Sequence, residues 1–164
     1  MITEPGKKGG KIMNMKKQII NWGFPPNWNE KNYQYKFSEE HTNDYGALFE
    51  IVDEKNNPIF EMDIVSTDEY SVRDSDCNVL QNITLNKIII FNPNDRRKGF
   101  AKFYLCKLKE FCEFNEIKEL EILPAEELED IDLNNSIQPK KKLIDYYKKY
   151  LKSNSYELKF RNCE

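Results

Sequence analysis

Arg96-Arg97-Lys98-Gly99-Phe100-Ala101 sets three cations and a glycine directly ahead of a segment with helical apolar spacing. That order suits one kind of chemistry. The first N–H groups of a helix lack intrahelical acceptors and carry partial positive charge, so such an end attracts phosphate. Gly99 would let a ligand approach the backbone with no Cβ in the way, small Ala101 permits close packing, and Arg96, Arg97 and Lys98 add cationic attraction. The expected ligand carries phosphate or pyrophosphate. Neither Gly-x-x-x-x-Gly-Lys-Ser/Thr nor Gly-x-Gly-x-x-Gly occurs, so nucleotide hydrolysis and dinucleotide binding lack their fingerprints. The plain alternative is a solvated strand-to-helix turn.

Other reactive side chains are sparse. Cys77, Cys106, Cys112 and Cys163 form no Cys-x-x-Cys pair, and His41 is the one imidazole, which argues against a zinc site. No histidine is paired in sequence with Cys77 or Cys106 to make either a nucleophile. Glu61 and Asp63 alternate with Phe60, Met62 and Ile64 and so fall on the polar face of a strand, and Glu121 sits on a later one. Each could remove a proton, but such a residue is more often a solvated carboxylate than a catalyst, and a water relay could replace a direct base; none is singled out.

The elements that must position these groups follow from periodicity. Thr84 to Phe91 is dense in β-branched residues and reads as a strand, its second half apolar enough to be buried on both faces. After the polar turn Asn92-Pro93-Asn94-Asp95, residues Ala101, Tyr104, Leu105, Leu108, Phe111 and Cys112 mark one helical face. Upstream, Met1 to Gly10 reads as a disordered tail, and Ile12, Met15, Ile19 and Trp22 as a short helix stopped by Gly23 and Pro25-Pro26. Tyr33 to Phe37 alternates as a half-buried strand, while Ala47 to Val52 and Ile59 to Val65 read as an antiparallel hairpin. Downstream, Glu119 to Leu123 is a strand expected parallel to the central one, Lys140 to Leu151 a helix and Tyr156 to Phe160 a last strand. With no repeat and no second core, the expectation is one α/β (α+β) domain over residues 11–164, built on a mixed, mostly antiparallel sheet with a central β-α-β unit.

Composition narrows the partners. A net charge of −3 from 25 basic and 28 acidic residues argues against a nucleic-acid binder driven by phosphate neutralisation. No apolar run approaches membrane-spanning length and no signal-like start is present, so a cytoplasmic protein is expected.

Phe91-x-Pro93-x-x-Arg96-x-x-Gly99-x-Ala101, lying between strand and helix, resembles the acetyl-CoA signature of the GNAT superfamily of N-acetyltransferases. The likeness covers about Ile83 to Phe160. It implies direct transfer of acetyl from acetyl-CoA to an amine, with no metal. The acceptor would be a cationic small molecule or a protein lysine or N-terminus. It also implies that Ile89 and Phe91 pair through their backbone with the pantetheine arm, that a backbone N–H near Phe91 meets the oxyanion, and that Arg96 to Ala101 hold the pyrophosphate. Asp145-Tyr146-Tyr147-Lys148-Lys149 fits the family's late-helix tyrosine, making Tyr147 the expected acid for the departing thiolate and Tyr146 the fallback. Departures are visible. Lys140 stands where the family opens this helix with Asn, the closing Gly-Phe is replaced, two helices between the first strands are missing, and an insert from Ala125 to Pro139 carries five carboxylates and no Lys or Arg. That insert would attract a cationic acceptor, or is simply a solvated acidic loop that keeps the chain soluble. A catalytically inactive CoA-binding or protein-interaction module on the same fold is the alternative.

Overall fold

A computed structural model describes residues 14–66, 82–92, 99–123 and 139–161. The tail over 1–10, the cations Arg96, Arg97 and Lys98, most of the acidic insert, and Cys77 and Cys163 lie outside them. The elements run α1 (Met15–Trp22), β1 (Tyr33–Phe37), β2 (Ala47–Asp53), β3 (Pro58–Val65), β4 (Asn82–Ile90), α2 (Phe100–Phe114), β5 (Glu119–Ile122), α3 (Pro139–Leu151) and β6 (Glu157–Phe160), with one 3₁₀ turn at Glu30–Asn32. The strands form a six-stranded mixed sheet in chain order. β1 to β4 are antiparallel to their neighbours, and β4, β5 and β6 are parallel. Parallel neighbours need a crossover, and α2 and α3 supply the two. This is the expected α+β architecture.

Strand alternation sends one set of side chains to a single apolar face. Phe49 and Ile51 of β2, Phe60, Met62 and Ile64 of β3, and Leu120 and Ile122 of β5 are all buried there. Each helix contributes a stripe to the same core: Met15 and Ile19 from α1; Tyr104, Leu108 and Phe111 from α2; Leu143, Tyr147 and Leu151 from α3. Burying side chains of this size contributes about 1.5–3 kcal/mol apiece, so this face holds the sheet and helices together.

The ends are fixed by polar contacts. Asn14 caps α1 through its Oδ1, which accepts from Lys17 N at 3.1 Å. At the other end the hydroxyls of Tyr35 and Tyr104 both donate to Gly23 O, Tyr104 at 2.7 Å, tying the helix to β1 and to α2. Burial pushes the Tyr35 hydroxyl up to about 12, so this tie is uncharged across the ordinary pH range. The C-terminus of α3 lacks glycine, and the Tyr156 hydroxyl donates to Leu151 O in its place.

β4 departs from simple alternation. Its buried apolar residues step by two, Ile83 then Leu85, and then by three to Ile88 before Ile90. The register shows why: Asp63 pairs with Lys87 but Ile64 pairs with Leu85, so Asn86 is an extra residue in a β-bulge. The strand was expected to be buried on both faces through Phe91. The bulge instead turns Ile89 and Phe91 to the outer face, where Ile89 is half-buried and Phe91 is 39% exposed.

Candidate functional site

The site is built where β4 loses a neighbour. Ile64, Leu85, Ile122 and Phe160 form one row across β3, β4, β5 and β6. β5 pairs with β4 only along Asn82 to Leu85, and the last bond runs from Leu123 N to Leu85 O at 3.0 Å. From Asn86 to Ile90 the central strand is paired by β3 alone among the described residues. Phe91 N donates to Ile59 O at 3.1 Å, so Phe91 spends its N–H on β3. Antiparallel bonding alternates along a strand, which gives Ile89 to β3 as well and turns the N–H and C=O of Ile88 and Ile90 toward the uncovered edge. The expectation that Ile89 and Phe91 offer their backbone to a ligand is therefore corrected by one residue. The bulge at Asn86 is its cause.

α2 starts over β3, where Phe100 stacks on Phe60, the strand partner of Ile90. Gly99 is its N-cap, with φ 96° and no side-chain cap, so nothing in its own side chain occupies the first N–H groups. A Cβ at Gly99 would meet nothing within 4 Å, and the glycine is required by its backbone angle rather than by crowding. Phe100 is buried, with its ring 4.1 Å from Trp28 and stacked at 5.7 Å on Phe60. Ala101 is buried too. Both anchor the first turn to the core and offer a ligand only their backbone. No acidic residue occupies that turn, which leaves the dipole unopposed there.

Tyr147 lies under the same row. Its ring is 6.4 Å from that of Phe160 and 6.2 Å from that of Tyr146, and it is 0% exposed. Tyr146 is half-buried and stacks edge-on to Tyr150 at 5.1 Å. The helix stripe thus carries Tyr147 inward to the level where β4 and β5 part, and Tyr146 to the rim.

Three carboxylates face outward nearby, and their surroundings differ. Glu61 is bridged by Lys87 Nζ at 2.6 Å with its side chain 12% exposed. Glu121 accepts from Arg161 Nε at 3.0 Å and from Thr84 Oγ1 at 3.4 Å, and the Arg161 bonds hold its carboxyl below the usual range. Asp63 has only Asn86 Nδ2 at 3.4 Å on its Oδ2, and among the described residues nothing donates to its buried Oδ1. Burial raises its pKa against the opposing pull of Asn86, Lys87 and His41. The bulge explains the cluster, because it puts Asn86 and Lys87, consecutive residues, on one face around Asp63.

His41 is exposed, with Nε2 3.8 Å from Glu40. Cys112 is buried and burial drives its thiol well up, away from nucleophilic character, while Cys106 is half-buried on the same helix. Among the described residues no three His, Cys, Asp or Glu side chains gather as metal ligands, and no helix is long and apolar enough to cross a membrane. No family model matches the chain, and no curated protein or solved structure matches it.

Proposed function

We propose that the chain is an acetyl-CoA-dependent N-acetyltransferase of the GNAT type, transferring acetyl directly to an amine. The observation that carries this reading is the stretch Asn86 to Ile90, a sheet-interior strand with one edge that no described residue pairs, followed in the chain by the glycine-capped start of α2. An extended amide-bearing arm could continue the sheet there as a strand would, against the N–H and C=O of Ile88 and Ile90. A pyrophosphate could then lie on the first turn of α2, with Arg96, Arg97 and Lys98 supplying charge. One edge and one helix start thus fit the two halves of a single ligand.

The reaction needs a donor for the oxyanion and an acid for the thiolate. The Ile90 N–H, displaced one residue from Phe91, or that of Ile88 takes the first part, and Tyr147 is assigned the second. An acceptor of cationic character suits the outward carboxylates Glu61, Asp63 and Glu121 and the acidic insert over 125–139.

A second reading is favoured by one feature. Tyr147 is wholly buried, as a core tyrosine would be, and a chain that bound acetyl-CoA without using that hydroxyl would be a CoA-binding or interaction module. Thermal unfolding with and without acetyl-CoA tests what both readings share, since a ligand at a hundred times its Kd adds about 2.7 kcal/mol. Absence of any shift at millimolar acetyl-CoA sinks both. Mass spectrometry of a lysate incubated with labelled acetyl-CoA then separates them, because only the enzyme adds label to an amine.

A further inference from the structure

Among the described outward carboxylates, Asp63 combines the right place with an oxygen to which no described residue donates. Asp63 sits on β3 beside Ile64, the residue that opens the row Ile64–Leu85–Ile122–Phe160. Its strand partner is Lys87, the first residue past the bulge, so it stands one strand spacing, about 5 Å, from the point where β4 loses its second neighbour. Its side chain is on the face opposite the helices, whereas Tyr147 lies under the same row on the helical face. Glu61 and Glu121 flank it, and each is held by a cation, Lys87 at 2.6 Å and Arg161 through Nε at 3.0 Å. No cation lies within bridging distance of Asp63 among the described residues.

We propose that Asp63 is the general base of the transfer, receiving the proton of a primary aliphatic ammonium that enters on the face opposite the helices. This rests on the acetyltransferase reading above. The ammonium gives one proton to the Asp63 carboxylate, directly or through one water. The freed nitrogen lone pair forms the C–N bond to the thioester carbonyl carbon while the π pair moves to oxygen. The carbonyl re-forms, the C–S bond breaks with its pair on sulfur, and the thiolate takes a proton from the phenol assigned above. The second N–H proton of the tetrahedral nitrogen is released to solvent, and Asp63 and the phenol then return to their starting states. Base and acid fall on opposite faces of the sheet, which lets the amine arrive on one side of the thioester and the sulfur leave on the other.

The groups facing Asp63 are consistent with that role. Burial raises its affinity for a proton, Asn86 and Lys87 from β4 and His41 from the β1–β2 connection moderate the rise, and the Glu61 charge on its own strand adds to it. Glu121 is held in the charged form by Arg161 and is a poorer proton acceptor.

The test uses the whole chain and three probe amines: spermidine, a lysine-containing peptide, and hydroxylamine, which is largely unprotonated at neutral pH and needs no base. Acetyl-CoA affinity is measured by calorimetry and thiol release by a disulfide reagent. Asp63→Asn should keep acetyl-CoA affinity and transfer to hydroxylamine, and lose about a hundredfold or more in kcat/KM for the protonated amines. The acidic limb of the pH–rate profile, where the carboxylate takes up its proton, should vanish with it, and Asp63→Glu should restore part of both. Failure of the wild type to bind acetyl-CoA overturns the underlying reading. Intact binding with equal losses, or no losses, across all three probes overturns the role of Asp63 alone. So does a wild type that binds acetyl-CoA and acetylates none of them, since the amines for which the base was inferred would then not be its substrates.

Discussion

The two halves of β4 have similar composition and different surroundings. Asn82 to Leu85 pairs with β5 throughout, and Thr84 and Leu85 pair with β3 as well, with Ile83 and Leu85 in the core. Asn86 to Ile90 keeps the core contacts through Ile88 and Ile90 but, among the described residues, has β3 alone beside it. A strand edge inside a sheet is costly unless something takes its N–H and C=O groups, so the first half reads as support and the second as a place prepared for a partner. The change falls at one inserted residue, Asn86.

The largest effect that would sharpen this contrast is on stability. Leu85→Ala removes a fully buried side chain from the row joining β3 to β6, and about 2–5 kcal/mol should be lost in urea unfolding. Phe91→Ala, at the exposed end of the second half, should change stability by about 0.5 kcal/mol or less. Similar losses from the two would mean that both ends of β4 are structural.

Next in size is the helix start. Gly99→Ala forces a side chain onto φ 96° and should destabilise the chain by about 1–3 kcal/mol. Gly99→Glu adds a charge to the same strain. If α2 receives pyrophosphate, the glutamate variant should bind acetyl-CoA at least a hundredfold more weakly by calorimetry, well below the alanine variant. Equal affinities for the two would remove the turn from the binding site.

Tyr147→Phe tests whether the row has a functional underside. The ring and its contact with Phe160 survive, so the fold and acetyl-CoA affinity should be preserved while turnover falls about a hundredfold. Unchanged turnover would make Tyr147 a core residue and move attention to Tyr146.

Much of this was legible in the sequence, for a physical reason. Wherever one face of an element is buried, the apolar period is enforced by packing, and β1, the β2–β3 hairpin, α2 and the parallel pairing of β5 with β4 could be read from it. The run Ile88-Ile89-Ile90-Phe91 misled because four apolar residues carry no phase of their own. The phase was available one step back, in the step of three between Leu85 and Ile88. Reading it would have placed the bulge, moved the edge-facing backbone to Ile88 and Ile90, and gathered Asn86 and Lys87 around Asp63. The unequal partners of Glu61, Asp63 and Glu121 were not readable, because they come from residues far apart in sequence, Lys87 for one and Arg161 for another.

The smallest effect separates Asp63 from Glu121 by the sign of their contribution to stability. Arg161 hydrogen bonds lower the folded pKa of Glu121, so its contribution is present above the unfolded value and is lost as pH falls through the lowered folded one. Burial raises the folded pKa of Asp63, so the folded chain binds that proton more readily than the unfolded chain does. Its charge therefore weakens the fold at neutral pH, and protonation relieves the penalty as pH falls through the raised value. Asp63→Asn should accordingly raise the urea midpoint at neutral pH. The gain should shrink as pH drops through the folded pKa of Asp63, and vanish below the unfolded aspartate value of about 3.9. Glu121→Gln should lower the midpoint at neutral pH, with a deficit that disappears only in stronger acid. A stabilised Asp63→Asn that has lost transfer to protonated amines would mark a group kept at the expense of the fold, as catalytic side chains are. A destabilised one would mean that the carboxylate is an ordinary structural acceptor, and the difference between the two halves of β4 would then lose its chemical meaning on the outer face.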